Sequence, residues 1–222
     1  MSKRLRDFFT LLNKNCTYLV LRNWDNIFDE NLYSNGHGDI DILCNSLQEF
    51  VSLTGAERIH KEKNRDNYII SIDNVKVRFD VRWVGDGYYP TEWEQRMLEN
   101  RELNEQSIFV MNKEDYFYSL AYHALVQKPK LSNEYLYKLN VAFKEIEDTP
   151  SDVTERDILV ILSNFLIERG FTIDTPNDPG VFINKKYARK LPRSKNLGRS
   201  INREIFLLKK RITNYCRRLF QK

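Results

Sequence analysis

The sequence predicts an α+β protein, and three observations carry that prediction. β-rich runs crowd into about the first 85 residues, the longer helical patterns follow Pro90, and two neighbouring β-rich runs are joined by a tight polar turn. At 222 residues, with 41% hydrophobic and 13% aromatic side chains, the chain buries a substantial core. Its 30% charged residues and mean hydropathy of -0.57 give a well-solvated surface. A stapled mini-protein and whole-chain disorder are both excluded.

Residues 3 to 13 place Leu5, Phe8, Phe9 and Leu12 on one helical face, and Cys16 to Arg22 reads as a buried strand. Polar and turn residues fill 23 to 38. Asp39-Ile-Asp-Ile-Leu-Cys then alternates like a strand, and Ser46 is placed to cap a short helix through Leu53. Asn67 to Asp73 and Val75 to Trp83 predict an antiparallel hairpin turning at Asp73-Asn74. Three- and four-residue apolar spacing predicts helices over roughly 91–99, 113–127, 132–146 and 154–168. Asn177-Asp-Pro-Gly signals a turn, with one more short strand expected over Gly180 to Asn184. The expected organisation is an α/β core over 1–90, a helical domain over 91–180, and a basic segment over 181–222 ending in an amphipathic helix.

The N-terminal apolar run from Phe8 to Leu12 is too short for a signal peptide. No segment approaches the roughly 20 apolar residues of a membrane span, so the expected location is the cytoplasm. Cys16, Cys44 and Cys216 are odd in number and scattered, which suits reduced packing thiols.

Net charge is +4, but residues 181–222 hold 14 Lys or Arg against one acid, Glu204. Such a tail points to an anionic partner: a membrane surface, nucleic acid or a phosphorylated substrate. Ile201, Ile205, Leu208, Ile212, Tyr215 and Leu219 form a helical stripe there. A basic amphipathic helix over 200–222 fits either an anionic membrane on the inner face or packing against protein.

Asp39 and Asp41 share one strand face about 7 Å apart, while Ile40 and Ile42 face the core. Asp80 lies opposite the apolar face of Val75, Val77, Phe79 and Val81 and is placed to join them from a neighbouring strand. Three converging carboxylates without local counter-charge repel unless divalent cations lie between them. Oxygen donors of this kind select Mg²⁺ or Mn²⁺, and two such ions roughly 4 Å apart serve an in-line phosphoryl displacement. A solvated polar strand face is the plainer alternative. On the same face as Asp80, Lys76, Arg78 and Arg82 read equally as phosphate neutralisers or as solvated charges.

Tyr18-Leu-Val-Leu, then Gly38-Asp-Ile-Asp-Ile-Leu, then Val77-Arg-Phe-Asp resembles the minimal nucleotidyltransferase fold over about the first 85 residues. More narrowly, the chain is similar to nucleotidyltransferase-like proteins of surface-polysaccharide gene clusters. The resemblance implies a mixed sheet with flanking helices and a mainly helical C-terminal region. It also implies metal ligation by Asp39 and Asp41, with Asp80 as third ligand or as base for an acceptor hydroxyl. The partners it implies are a nucleotide or nucleotide-activated donor and a sugar or glycan acceptor. The family's Gly-Ser or Gly-Gly pair after the first strand is replaced here by Arg22-Asn23. Either Arg22 grips a phosphate through its fork of donors, or the Gly36-His37-Gly38 turn supplies backbone donors.

Elsewhere, His123 among aromatic residues reads as a hydrogen-bonded core histidine. Lys128 and Lys130 flank Pro129 at a helix end, within reach of a substrate or serving the dipole. The function expected is transfer of a nucleotidyl or phospho-alcohol group to a glycan hydroxyl. The alternatives are a nucleotidyltransferase acting on RNA or protein and a catalytically inactive binding protein. Nucleic acid ranks lower because stacking aromatics are sparse in the tail.

Overall fold

Side chains on opposite faces of one sheet organise the chain into three layers. The computed structural model describes residues 2–29, 33, 39–59, 67–147, 151–194, 204–205 and 207–209. Gly36, His37 and Gly38, and most of the C-terminal stripe, lie outside the described residues. Helix α1 (Ser2–Asn15) leads into β1 (Tyr18–Val20), β2 (Asp39–Cys44), α2 (Leu47–Thr54), β3 (Glu57–Arg58), β4 (Asn67–Ile72) and β5 (Val75–Trp83). There follow α3 (Thr91–Glu99), β6 (Glu102–Leu103), β7 (Phe109–Val110), α4 (Lys113–Val126), α5 (Asn133–Ile146), α6 (Glu155–Glu168) and α7 (Lys185–Ala188). The architecture is α+β. Among the described residues seven strands run in the order β3-β4-β5-β2-β1-β7-β6. The sheet is mixed, since β5 pairs parallel to β2 and β7 parallel to β1, while the other pairs are antiparallel.

Local chemistry sets the boundaries. Asp73 and Asn74 both take left-handed backbone (φ 53 and 64), which matches the twist of the predicted two-residue hairpin. Helices α2, α4, α5 and α6 begin on Ser46, Asn112, Ser132 and Thr154, whose side chains each accept a backbone N–H three residues on. The strand expected over Gly180 to Asn184 is absent. There the Asn184 N–H donates to the Val126 carbonyl, while its side-chain amide donates to Lys128 and Pro129 carbonyls and its oxygen caps α7. Those side-chain bonds replace a ladder.

On one sheet face Ile40, Ile42, Val77, Phe79 and Val81 pack under α1 and α2 through Leu5, Phe9, Leu12 and Phe50. On the other, Leu19, Leu21 and Leu43 meet Trp93, Tyr122, Leu125 and Phe165 of the C-terminal helices. That second face turns polar along β2 and β5, so a cleft opens between sheet and helices. Phe79 is fully buried, and its ring lies 5.5 Å from Phe8 and 6.4 Å from Phe50. Phe79→Ala should cost about 3–5 kcal/mol in urea unfolding, whereas exposed Lys76→Ala should stay within about 0.5.

Candidate functional site

The parallel register of β2 and β5 sets Asp39 opposite Arg78 and Asp41 opposite Asp80. Because neighbouring residues alternate faces, Asp39, Asp41 and Asp80 all point away from the Phe79 core and into the cleft. This cleft of about 530 Å³ is floored by the three aspartates with Asn67 and Arg82, and flanked by Arg22 and Asn23. Its helical wall comes from His123 of α4, Gln127 and Lys128 just after it, Tyr135 of α5, and the 178–182 segment. Arg78 sits on the same strand face but is exposed and does not line the cleft.

Arg22 follows β1, whose ladder is extended by a bond from the Leu21 N–H to the Asp41 carbonyl at 2.9 Å. Asn23 then takes left-handed backbone (φ 58), a conformation asparagine tolerates better than most residues. Arg22 Nη2 lies 3.0 Å from Asp41 Oδ1 and donates to the Tyr88 hydroxyl at 3.3 Å. Arg82 Nη2 lies 2.7 Å from Asp80 Oδ1 and 2.9 Å from Oδ2, with the guanidinium carbon 4.3 Å from the Tyr88 ring centre. The expectation of carboxylates without local counter-charge is therefore corrected: Asp41 and Asp80 each face an arginine. Arg82 and Asp80 are two residues apart on β5, whereas Arg22, just after β1, meets Asp41 of β2 only through the fold.

No family model matches the chain, and no curated protein matches it. Among solved structures the chain is similar to the solution structure of the antibiotic-resistance factor ANT(2'')-Ia. Identity is 11%, 76% of this chain and 92% of that one are covered, and the TM-score is 0.42.

Burial pushes the Asp41 carboxyl upward from its usual range; Arg22 opposes this, and Asp80 and Asp39 reinforce it. The donors are all carboxylate oxygens, the class that hard divalent cations take. Among the described residues no three acidic, histidine or cysteine side chains yet converge as a ligand set. Asp41 and Asp80 are turned toward guanidinium groups, so the ligand types fit a cation once those groups give way.

His123 is the hydrogen-bonded core histidine that its surroundings predict, although its ring edges the cleft. The Gln127 amide nitrogen donates to the Tyr88 carbonyl at 2.8 Å, which leaves Gln127 Oε1 to accept from His123 Nδ1 at 2.9 Å. His123 Nε2 then accepts from the Tyr135 hydroxyl at 3.1 Å. Burial, with Arg22 nearby, pushes its pKa down to about 2, so the ring is neutral near pH 7 and orients Tyr135.

Several cleft residues gave no distinct signal in the sequence. Asp178 reads as a turn residue, and the turn is there, with Gly180 N–H donating to its Oδ1 at 2.7 Å. Its carboxylate is also 3% exposed, with Oδ2 lying 3.8 Å from Arg82 Nη1. Tyr88, Asn67 and Tyr135 reach the cleft only through tertiary packing.

The loop carrying Tyr88 is held by two buried carboxyls. Glu94 accepts from the N–H groups of Gly85 at 2.7 Å and Tyr89 at 2.9 Å, and Asp86 accepts from Tyr88 N–H at 2.7 Å. Burial raises both acids, Asp86 to about 6 and Glu94 well above its usual range, where Asp86 also acts on it. Raised folded-state values mean that the pair's contribution to stability is complete below the ordinary carboxylate range. It declines as pH rises through about 6. A double variant Asp86→Asn, Glu94→Gln should therefore lose less stability between pH 5 and 8 than the unmodified protein in urea titrations. Equal losses in the two proteins would refute the upward shift of these carboxyls.

Proposed function

We propose that the cleft performs metal-dependent phosphoryl or nucleotidyl transfer from a nucleotide-activated donor to a hydroxyl acceptor. The observation that carries this reading is the in-register pair Asp41 and Asp80, with Asp39 on the same face, at the floor of a cleft that also presents Arg22, Arg82 and Lys128. The aspartates would hold Mg²⁺ or Mn²⁺, and bound cations supply positive charge for the attacking and leaving oxygens. Arg22 and Lys128 bind and orient donor phosphate, as forked and point-charge donors respectively. Asn67 and the oriented Tyr135 hydroxyl offer neutral polar contacts to an acceptor. His123 is too weakly basic to take the acceptor proton, so that role falls to Asp80.

The finer reading makes the acceptor a sugar or glycan hydroxyl in surface-polysaccharide biosynthesis. It rests on the sequence pattern around Asp39 and on the neutral hydroxyl and amide groups of the cleft. The basic segment over 200–222 would bring the enzyme to an anionic membrane; within it, Ile205 and Leu208 are exposed. No helix among the described residues is long and apolar enough to cross a membrane.

A second reading, a binding protein without turnover, is favoured by one specific observation: both central aspartates are engaged by arginines. Turnover separates the two. The protein is incubated with Mg²⁺ or Mn²⁺, nucleoside triphosphates and CDP- or UDP-linked donors in the presence of glycan acceptors, and release of pyrophosphate or nucleotide is followed. Asp41→Asn and Asp80→Asn should each reduce turnover by about 1000-fold or more without lowering Tm. Activity within about tenfold of the unmodified protein in either variant would rule out the proposed site.

A further inference from the structure

Three features of the cleft point to one property. Arg22 is paired through Nη2 alone, and its Nη1, on a side chain only 10% exposed, has no hydrogen-bond partner among the described residues. A buried guanidinium nitrogen without an acceptor is built for an oxygen that arrives with a ligand. Second, Tyr88 contacts both arginines, Arg22 through its hydroxyl and Arg82 through its ring. It is itself fixed by Asp86 and Gln127, so both guanidinium groups work around a common fixed support. Third, among the described residues the cleft sets four carboxylates, Asp39, Asp41, Asp80 and Asp178, against three cations, Arg22, Arg82 and Lys128. A divalent cation entering that set changes the local balance from one negative charge in excess to one positive, and the site then attracts an anion.

We infer that Arg22 and Arg82 are exchangeable counter-ions that make cation and phosphate binding mutually dependent. This rests on the proposed role of the aspartates as cation ligands. Each guanidinium holds its aspartate while the cation is away. When the carboxylate is taken, the guanidinium is released and turns its donors to a phosphate oxygen. Arg22 thereby takes the place of a backbone phosphate loop, and it gates the cation as well. By linkage, phosphate must strengthen cation binding by the same factor as the cation strengthens phosphate binding.

The test follows free Mn²⁺ by its electron paramagnetic resonance signal during titration of the full chain, with inorganic phosphate absent or present. Without phosphate, Arg22→Gln and Arg82→Gln should each bind Mn²⁺ about tenfold tighter than the unmodified protein, because the freed aspartate no longer has a competing cation. Arg22→Lys, which keeps the charge, should stay near the unmodified value. Phosphate should tighten Mn²⁺ binding by the unmodified protein and have little effect on the Arg22→Gln, Arg82→Gln double variant. Unchanged or weaker binding by the single variants, with Asp41→Asn abolishing it, would overturn the exchange while leaving the metal site standing. Binding that survives Asp41→Asn would remove both. Should circular dichroism show the glutamine variants misfolded, the unmodified protein decides alone: a Mn²⁺ affinity indifferent to phosphate overturns the inference.

Discussion

The parallel pairing of β2 with β5 is the constraint on which the rest of the molecule depends. Its register puts Asp41 directly across from Asp80, and in the same ladder sets Ile40 against Phe79 and Ile42 against Val81. A slip of β2 by one residue would carry Asp39 and Asp41 into the core under α1 and α2, and lift Ile40 and Ile42 out of it. The apolar half of the pairing therefore enforces the polar half. Core packing holds together two like charges that would otherwise separate, and the arginines on β5 and beside β1 offset part of the repulsion.

The helical layer completes the site. Helix α4 supplies His123, whose neutral ring orients Tyr135, and Gln127 at its C-terminal end fastens the Tyr88 carbonyl. On the sheet side, the same Tyr88 is held by Asp86, while Glu94 on α3 accepts from the neighbouring Gly85 and Tyr89 N–H groups. The segment after α6 closes the opposite wall, where Asn177 N–H donates to the Asp86 carbonyl at 2.7 Å and Asp178 faces Arg82. Buried polar groups are thus linked from sheet to helices, and their directional hydrogen bonds fix geometry where an apolar contact would allow sliding.

Much of the scaffold was legible in the sequence because its signals are local. The Asp73-Asn74 turn, the alternation from Asp39 to Cys44, and the capping residue Ser46 each depend on a few neighbouring residues. The faces of Asp39, Asp41 and Asp80 followed from strand alternation alone. What escaped depends on residues far apart in the chain. Strands β3, β6 and β7 span two residues each, too few for a period, and owe their pairing to partners elsewhere. The Gly180 to Asn184 run has strand-like composition but spends its hydrogen bonds on the end of α4. The pairing of Arg22 with Asp41, and the approach of Asp178 to Arg82, join residues 19 and 96 positions apart. No sequence spacing announces either contact.

The most direct measurement of the central claim is the position of Mn²⁺ in crystals soaked with the ion, read from its anomalous scattering. The account predicts a peak bounded by carboxylate oxygens of Asp41 and Asp80, with Arg22 swung away from Asp41. Peaks only elsewhere, with the Arg22–Asp41 pair intact, would contradict it.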